Sequence, residues 1–312
     1  MRARRAFAAA FLALAPSLAA AGGGGFGPSV APEVEPLDFA PWMEGAKVEF
    51  RGAFAIRPPF EEFGGLSGLV MEGPRRALAI SDRARWLRLD LKIEGRRLEG
   101  IEAVAAAPVA GAPDEESEDD PWDPEALTRG ARGELWVAFE QDHRLQPVDG
   151  PEAAPGPVLQ RDEWTRYGGN SGLEALATAP DGALWSIRER VEGAGHPVFA
   201  IGADGWRLAT LPEDGPYRPT GADFGPDGAL YLAERAFSLV GGFRFRLRRI
   251  VWGDGPTPET AEELLRLPTE SLIDNIEGIA VWEEGGETLI LVVSDDNFSV
   301  FQRNVAALFA LR

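Results

Sequence analysis

The sequence predicts an all-β protein, and within that class a β-propeller of five or six four-stranded blades. Three observations lead to this prediction: short apolar segments alternate with turns along the chain, one hairpin pattern recurs five times, and helix-period patterns are almost absent. The repeats start roughly 45 to 60 residues apart, which is typical of propeller blades. Glu259 to Leu267 is the one segment that favours a helix.

Each repeat consists of two apolar segments joined by a turn. The paired segments begin, in chain order, at Gly65 and Ala77, Pro124 and Leu135, Gly172 and Leu184, Thr220 and Leu230, and Ile276 and Leu289. Asp181-Gly182 and Asp227-Gly228 form two of the turns, because glycine takes the positive φ that a tight reversal requires. The last repeat lacks a fourth strand, so we expect the N-terminal strand Lys47 to Ile56 to complete that blade and close the ring. Gly95 to Ala107 could supply a sixth blade.

The N-terminal region has the features of an export signal. Arginines at positions 2, 4 and 5 precede an apolar run from Ala6 to Leu18, and Ala19-Ala20-Ala21 offers a small-residue cleavage site. We therefore expect a signal peptide at 1–21, a flexible Gly- and Pro-rich lead-in at 22–45, and the propeller at 46–312. This organisation predicts a periplasmic or secreted protein.

Composition excludes several classes of partner. The net charge of −19 argues against binding nucleic acid or an anionic membrane surface, and it suits a protein that collects cations. The absence of cysteine excludes a lipoprotein anchor and disulfides. After the leader no apolar run reaches about 20 residues, so we expect no membrane anchor. We also expect a monomer whose partner is a small anionic ester or phosphoester.

Acidic side chains recur at matching places in the repeats. The first strand of a repeat begins with Glu or Ser, and the second strand ends with an acid about 15 residues later. In an antiparallel hairpin these two places are neighbours. The expected neighbours are Glu125 and Glu140; Glu174 and Glu189; Glu277 with Asp295 and Asp296; Ser67 and Asp82; and Thr220 or Asp223 with Glu234. Around a propeller axis such ends converge on one mouth of the channel.

A ring of carboxylates needs positive charge, since two carboxylates about 5 Å apart repel by roughly 3 kcal/mol in a partly screened site. Two sources of charge stay open. One is arginine, with candidates at Arg83, Arg188, Arg190, Arg235 and Arg303. The other is a hard cation, and calcium is favoured because all the ligands are oxygens and the chain has no thiol. Arginines next to a cation would suit an anionic substrate.

Other chemistries find little support in the residues. With two histidines the chain cannot build a three-histidine zinc site. Gly65-Leu66-Ser67-Gly68 misses the spacing of a nucleophile elbow, because Leu69 occupies the place of the last glycine. Neither a phosphate-binding P-loop nor a dinucleotide fingerprint is present.

Several motifs resemble the phytase-like family of exported bacterial proteins, usually described as having the esterase-like activity of phytase. The motifs are Phe63–Leu69, Asp123–Leu127, Glu174–Leu176, Asp274–Ile279 and Ser294–Ser299. The resemblance runs from about Phe54 to Leu311 and implies a repeated acidic domain that cleaves phosphodiesters or phytate. The metal-binding set that it implies is Asp82, Glu125, Glu174, Glu234, Glu277, Asp295 and Asp296. Thr220 departs from the pattern, since an acid is expected there.

The leading hypothesis is an exported metal-dependent esterase or phosphoesterase that acts on a small anionic ester at the channel mouth. Glu174, Glu277 and Glu125 are the candidate catalytic carboxylates, one of them as general base. The candidate substrate-binding residues are Arg83, Arg188, Arg235 and Arg303. Two alternatives stay open: a calcium-dependent lactonase, with Asn275 and Asn297 as possible amide ligands, and a non-catalytic binding propeller.

Overall fold

The computed structural model describes residues 25–113, 122–168, 172–239, 242–273, 275–299 and 302–312. These residues form five antiparallel sheets, arranged as the five blades of a β-propeller. The expected signal peptide at 1–21 lies outside the described residues. None of the helices in the described ranges has the length and hydropathy of a membrane span.

The first three blades follow one another along the chain. Blade 1 contains β3 (Leu66–Gly73), β4 (Arg76–Ser81), β5 (Arg85–Glu94) and β6 (Arg97–Pro108). Blade 2 contains β7 (Pro124–Arg129), β8 (Leu135–Phe139) and β9 (Arg144–Pro147). Blade 3 contains β10 (Ala175–Thr178), β11 (Leu184–Ile187), β12 (Gly195–Gly202) and β13 (Gly205–Pro212).

The last two blades complete the set. Blade 4 contains β14 (Arg218–Phe224), β15 (Leu230–Ser238), β16 (Gly242–Val251) and β17 (Thr260–Leu267). Blade 5 contains β18 (Asn275–Glu284), β19 (Glu287–Asp295), β20 (Asn304–Leu311), β2 (Val48–Ile56) and β1 (Val34–Leu37), in that order. Within the described ranges, three short 3-10 helices lie at Ala40–Trp42, Trp164–Arg166 and Thr269–Ser271.

Each blade packs against its neighbours through both faces of its sheet, and β19 shows why its apolar run is continuous. Successive side chains of a strand point to opposite faces. Ile290 and Val292 belong to the core between blades 4 and 5, whereas Leu289, Leu291 and Val293 belong to the core between blades 5 and 1. Similar cores lie between blades 1 and 2, 2 and 3, and 3 and 4. The five innermost strands β3, β7, β10, β14 and β18 contact one another in that cyclic order.

An N-terminal strand joins the last blade. β2 pairs antiparallel with β20, and Ile56 lies opposite Asn304. β1 in turn pairs with β2, so Val34–Leu37 form regular structure within the segment expected to be a flexible lead-in. Blade 5 thus combines strands from the two ends of the described chain.

Two expectations from the sequence are wrong. The segment that favoured a helix forms β17, because its side chains pair across β16 and Leu265 and Leu267 enter the core between blades 4 and 5. Gly95 to Ala107 does not supply a sixth blade, since it lies largely in β6, the fourth strand of blade 1. The Asp-Gly turns form as predicted, with φ of 87° at Gly182 and 74° at Gly228.

Candidate functional site

The innermost strands carry one extra residue close to their first residue. In blades 1, 2, 4 and 5 the register between the first and second strands shifts by one residue, and the unpaired residues are Ser67, Glu125, Thr220 and Glu277. A β-bulge bends the strand and redirects the side chain of the extra residue. The same backbone irregularity therefore presents one polar side chain from each of these four blades.

Blade 3 repeats this arrangement just before β10. The backbone N–H of Glu189 donates to the carbonyl of Gly172 at 3.2 Å. The next aligned pair is Ala175 with Ile187, so the inner strand has one residue more than its partner between the two contacts. Glu174 lies in this interval and is the blade 3 equivalent of the bulged residues.

The residue after each bulged position is small, and close packing at the axis explains why. These residues are Gly68, Ala126, Ala175, Gly221 and Gly278. A Cβ on Gly68 would lie 2.5 Å from the backbone nitrogen of Leu127, and one on Gly221 would lie 2.7 Å from the carbonyl oxygen of Glu277. Backbones of adjacent blades approach so closely here that a larger side chain would displace them.

Eight carboxyl groups from four blades lie close enough to interact electrostatically, and we call them the acid cluster. Its members are Asp82 from blade 1, Asp123, Glu125 and Glu140 from blade 2, Glu174 and Glu189 from blade 3, and Glu277 and Asp295 from blade 5. Three of the bulged positions, in blades 2, 3 and 5, contribute to it. Acids from successive repeats therefore lie together, as the sequence predicted.

Two aspartates at strand ends have strongly raised pKa values. Burial raises the pKa of Asp82 to about 7, and the charges of Glu277 and Asp123 add to the effect. Burial likewise raises the pKa of Asp295 to about 8, with further contributions from Glu277 and Asp82. Because the groups are buried and surrounded by like charge, the protonated form is favoured up to neutral pH.

Glu140 and Glu174 form a carboxyl pair between blades 2 and 3. Their side chains are joined by a hydrogen bond, and Glu140 Oε1 also accepts from the backbone N–H of Gly172 at 2.5 Å. Burial raises the pKa of Glu140 to about 7, and burial followed by the charge of Glu140 raises that of Glu174 well above its ordinary value. Because both pKa values are raised, the pair favours holding a proton over carrying two negative charges.

Arg235 from blade 4 brings positive charge into the acid cluster. Its guanidinium donates to Glu277 Oε1 at 2.5 Å, to Glu189 Oε1 at 3.4 Å and to the side-chain oxygen of Asn275. Burial works against the charged form, but Glu277, Glu174 and Glu189 outweigh it and raise the pKa of Arg235. The pKa of Glu277 is still raised by burial, because Arg235 and a hydrogen bond from Asn275 offset that cost only in part.

Three acids in blade 2 lie close enough together to hold a metal ion. One carboxylate oxygen each of Asp123, Glu125 and Glu140 lies within 4.8 Å of the others. Glu140 is buried and the other two are partly buried. Carboxylate oxygens of this kind fit a hard cation such as calcium or magnesium, which prefers all-oxygen ligands. Burial, followed by the charges of Glu174 and Asp123, raises the pKa of Glu125. A bound cation would offset this repulsion and favour the ionised form of Glu125.

Glu234 lies in a different environment from the one expected from the repeats. Its two oxygens accept from Arg246 at 2.7 and 3.1 Å and from Arg248 at 2.8 and 2.6 Å, and its side chain is 1% exposed. Successive side chains of a strand point in opposite directions, so Glu234 and Arg235 cannot face the same group. Blade 4 therefore contributes an arginine to the acid cluster and uses its glutamate in a buried ion pair.

Asp296 and Arg303 line a small cavity beside the acid cluster. The cavity has a volume of about 250 Å³ and lies where β2 meets β20. Asp296 Oδ2 accepts from Asn304 at 2.8 Å, and its charge contributes to the raised pKa of Asp295. Arg303 lies 3.8 Å from Glu35 and is 41% exposed.

The two remaining candidate arginines stack on aromatic rings. The guanidinium carbon of Arg83 lies 3.3 Å from the ring centroid of Phe298, and the charge of Arg83 lowers the pKa of Asp82. Arg188 lies 3.5 Å from the ring centroid of Tyr167 and forms an ion pair with Glu192. Arg83 therefore adjoins the acid cluster directly.

Sequence reasoning placed Glu140 and Glu189 in the acidic ring but not among the metal ligands, and it did not place Asp123 in the ring at all. Asp123 precedes β7 and lies two residues before the bulged Glu125, so it fell outside the strand pattern. Its position in the motif Asp123-Pro124-Glu125 was the available signal. Because the backbone carbonyl of Asp123 accepts from the N–H of Glu140 at 2.8 Å, the two acids are held next to each other.

Comparison with known protein families shows which family the chain belongs to. A family model described as "Phytase-like: Esterase-like activity of phytase" matches residues 61–298, which include every member of the acid cluster. The chain belongs to the phytase-like family. No curated protein matches this phytase-like chain.

Solved structures show more distant likenesses to this phytase-like propeller. A putative gluconolactonase is 12% identical, with 91% of this chain and 92% of that chain covered and a TM-score of 0.46. Virginiamycin B lyase from Staphylococcus aureus is 11% identical, with coverages of 89% and 99% and a TM-score of 0.43. A streptogramin B lyase is 13% identical, with coverages of 90% and 98% and a TM-score of 0.38. Likenesses at these values say nothing about activity.

Proposed function

We propose that the protein is an ester hydrolase that acts on a small anionic ester, and above all on a phosphoester, at the acid cluster. The observation that carries this proposal is the convergence of eight carboxyl groups and Arg235 at one end of the inner strands. Raised pKa values in a group of this kind are typical of catalytic sites. Membership of the phytase-like family supports an ester as the substrate class.

A divalent cation, with calcium as the first choice, would be held by Asp123, Glu125 and Glu140. When bound, it would polarise a phosphoryl or carbonyl oxygen and lower the pKa of a water molecule. The three carboxylates would then be ionised, and the repulsion that raises the pKa of Glu125 would be relieved. Treatment with a chelator therefore tests whether activity requires the metal.

The Glu140–Glu174 pair supplies the proton chemistry in this proposal. Two buried carboxyl groups that share a hydrogen bond hold one proton between them near neutral pH. With Glu140 ionised at the cation, the proton of the pair would rest on Glu174, which could give it to the leaving-group oxygen and regain one from the attacking water. Glu174 is the better candidate for the group that meets the substrate, because Glu140 already accepts from Gly172 and belongs to the metal group.

Glu277 and Arg235 would hold and orient the substrate anion. Arg235 keeps its charge because three acids surround it, and its fork of donors suits a phosphate or carboxylate. Glu277 fixes that guanidinium through the 2.5 Å contact, so its role is to position Arg235. Arg83, beside Asp82, is the second candidate for contact with the substrate anion.

We also propose that the protein is exported and monomeric. The leader at 1–21 would direct the protein to the periplasm or the medium. Mass measurement of the protein recovered from those fractions would identify the cleavage, and size-exclusion chromatography would give the oligomeric state. An uncleaved cytoplasmic protein would overturn the export part alone.

The test is hydrolysis by purified protein after treatment with a chelator. p-Nitrophenyl phosphate, bis(p-nitrophenyl) phosphate and p-nitrophenyl acetate are each assayed with and without calcium, magnesium and manganese. We expect cation-dependent turnover of a phosphate substrate, reduced at least about 100-fold by Glu174→Gln. The exposed Glu283→Gln is the matched control and should retain parental turnover. Absence of turnover with every substrate and cation would favour a non-catalytic binding propeller.

A further inference from the structure

Three arginines surround one tyrosine at the seam between blades 3 and 4. The guanidinium carbons of Arg246, Arg266 and Arg244 lie 4.3, 5.4 and 5.9 Å from the ring centroid of Tyr217. Arg246 and Arg266 are directly opposite each other on β16 and β17, and Arg244 is two residues from Arg246 on the same face of the sheet. We call these four residues the Tyr217 arginine group.

The group lies at the same end of the propeller as the acid cluster. Arg246 donates to Glu234, which is the neighbour of Arg235 in β15. Tyr217 immediately precedes β14, whose first residue, Arg218, pairs with Arg235. The Tyr217 arginine group is therefore next to the channel mouth but outside the acid cluster.

Positive charge exceeds negative charge within the group. Arg246 and Arg248 are balanced by Glu234 and Asp214, and Arg266 is balanced by Glu263 at 2.5 Å. Arg244 has no ion pair within the described part of the chain, and its Nε is buried without a hydrogen-bond partner. A buried donor on a charged group is costly to leave unsatisfied. The protein as a whole has a net charge of −19, so a local excess of positive charge such as this one is unusual for it.

A carboxylate already occupies part of this surface. Asp214 Oδ2 accepts from Arg246 Nη1 at 2.8 Å and lies 3.8 Å from Arg248 Nη1. Its side chain is 64% exposed, whereas that of Arg246 is 2% exposed, so Asp214 covers this donor and would have to move away before an anion could reach it. Guanidinium donors that bind an exposed carboxylate can also bind the oxygens of phosphate. Asp214 would compete with such an anion for Arg246.

From this arrangement we propose a second ligand site, in which Arg244, Arg246 and Arg266 bind a tetrahedral oxyanion, either inorganic phosphate or the phosphate group of an ester. Arg244 supplies the unpaired charge, and Arg246 supplies the donor that Asp214 now occupies. The site does not depend on the proposed hydrolase activity, because none of its residues belongs to the acid cluster.

Isothermal titration of inorganic phosphate tests the site. The protein is kept in chelator at constant ionic strength, so that a cation in the acid cluster cannot bind the phosphate. We expect saturable binding that Arg244→Gln weakens at least about tenfold. Asp214→Asn should tighten binding several-fold, because a competing carboxylate is removed. The matched control is Arg249→Gln on the same strand, since Arg249 pairs with Asp227 at the other end of the blade.

Three results would overturn the proposal: no saturable heat with the parent protein, unchanged affinity in Arg244→Gln, or an equal loss in Arg249→Gln. Thermal unfolding of each variant excludes loss of fold as the cause of a change in affinity. O-Phosphoserine, titrated in the same way, distinguishes the two sources of the anion. Binding at least as tight as that of inorganic phosphate identifies an ester group as the ligand, and markedly weaker binding identifies the free ion.

Discussion

Replacing Arg235 with Met tests the electrostatic account of the acid cluster most directly. The substitution keeps an unbranched side chain and removes the charge that contacts Glu277 at 2.5 Å and Glu189 at 3.4 Å. Charges about 4 Å apart at an effective dielectric constant of about 20 attract by roughly 4 kcal/mol. Removing one partner of a buried pair typically costs about 3–5 kcal/mol. For a domain of this size the loss should lower Tm by about 6–10 °C at pH 8.

The pH dependence of that loss separates charge from packing. Because burial raises the pKa of Glu277, its negative charge is lost more readily as the pH falls, so the loss in Arg235→Met should be smaller at pH 5 than at pH 8. Thermal unfolding followed by circular dichroism in chelator measures both values. Arg57→Met is the control, since Arg57 and Glu33 form an ion pair whose side chains are 74% and 78% exposed, and it should change little. An equal loss at both pH values would refute the reasoning.

Two further predictions concern stability. Without metal, the protein should lose stability as the pH rises from 5 to 8. In the folded protein the pKa values of Asp82 and Glu140 are about 7 and that of Asp295 is about 8. The folded state therefore loses the protons that stabilise it over this pH range. Thermal unfolding in chelator measures this, and a Tm that rises with pH would contradict it. Gly68→Ala should cost about 1–3 kcal/mol in urea unfolding, because its Cβ would lie 2.5 Å from a backbone nitrogen of blade 2. Gly73→Ala, whose Cβ would meet no atom within 4 Å, is the control, and equal losses in both variants would remove the packing explanation.

Local patterns account for most of what could be predicted of the fold. The recurring hairpins and Asp-Gly turns were sufficient to predict the propeller, because turn chemistry and period-2 burial act over a few residues. The segment around Glu262 and Leu265 was wrongly predicted to be a helix. It forms an outer strand with a register shift, and that shift breaks the period-2 burial pattern so that it resembles the period of a helix. The blade count also needed pairing partners, because only the hydrogen bonds of β6 to β5 assign Gly95 to Ala107 to blade 1.

The site could be predicted in part for the same reason. Glu125, Glu174 and Glu277 were identifiable because the bulged position recurs in the repeats. Glu234 was misplaced because a one-residue difference in a strand reverses the direction of a side chain, and the sequence does not show which residue faces the axis. Asp123 was missed because it lies before the strand and reaches the group through the backbone of Glu140.

The amino-acid order alone determined the all-β class, the recurrence of one hairpin pattern and the supply of one polar residue at the start of most inner strands, since these depend on neighbours in the chain. Tertiary structure decided which of these residues meet. It brings Arg235 into contact with Glu277 and Glu189, 42 and 46 residues away, and it leaves Glu234 between two arginines. The physical reason is that charge interactions act across the seams between blades, and the distances there depend on how whole sheets pack around the axis.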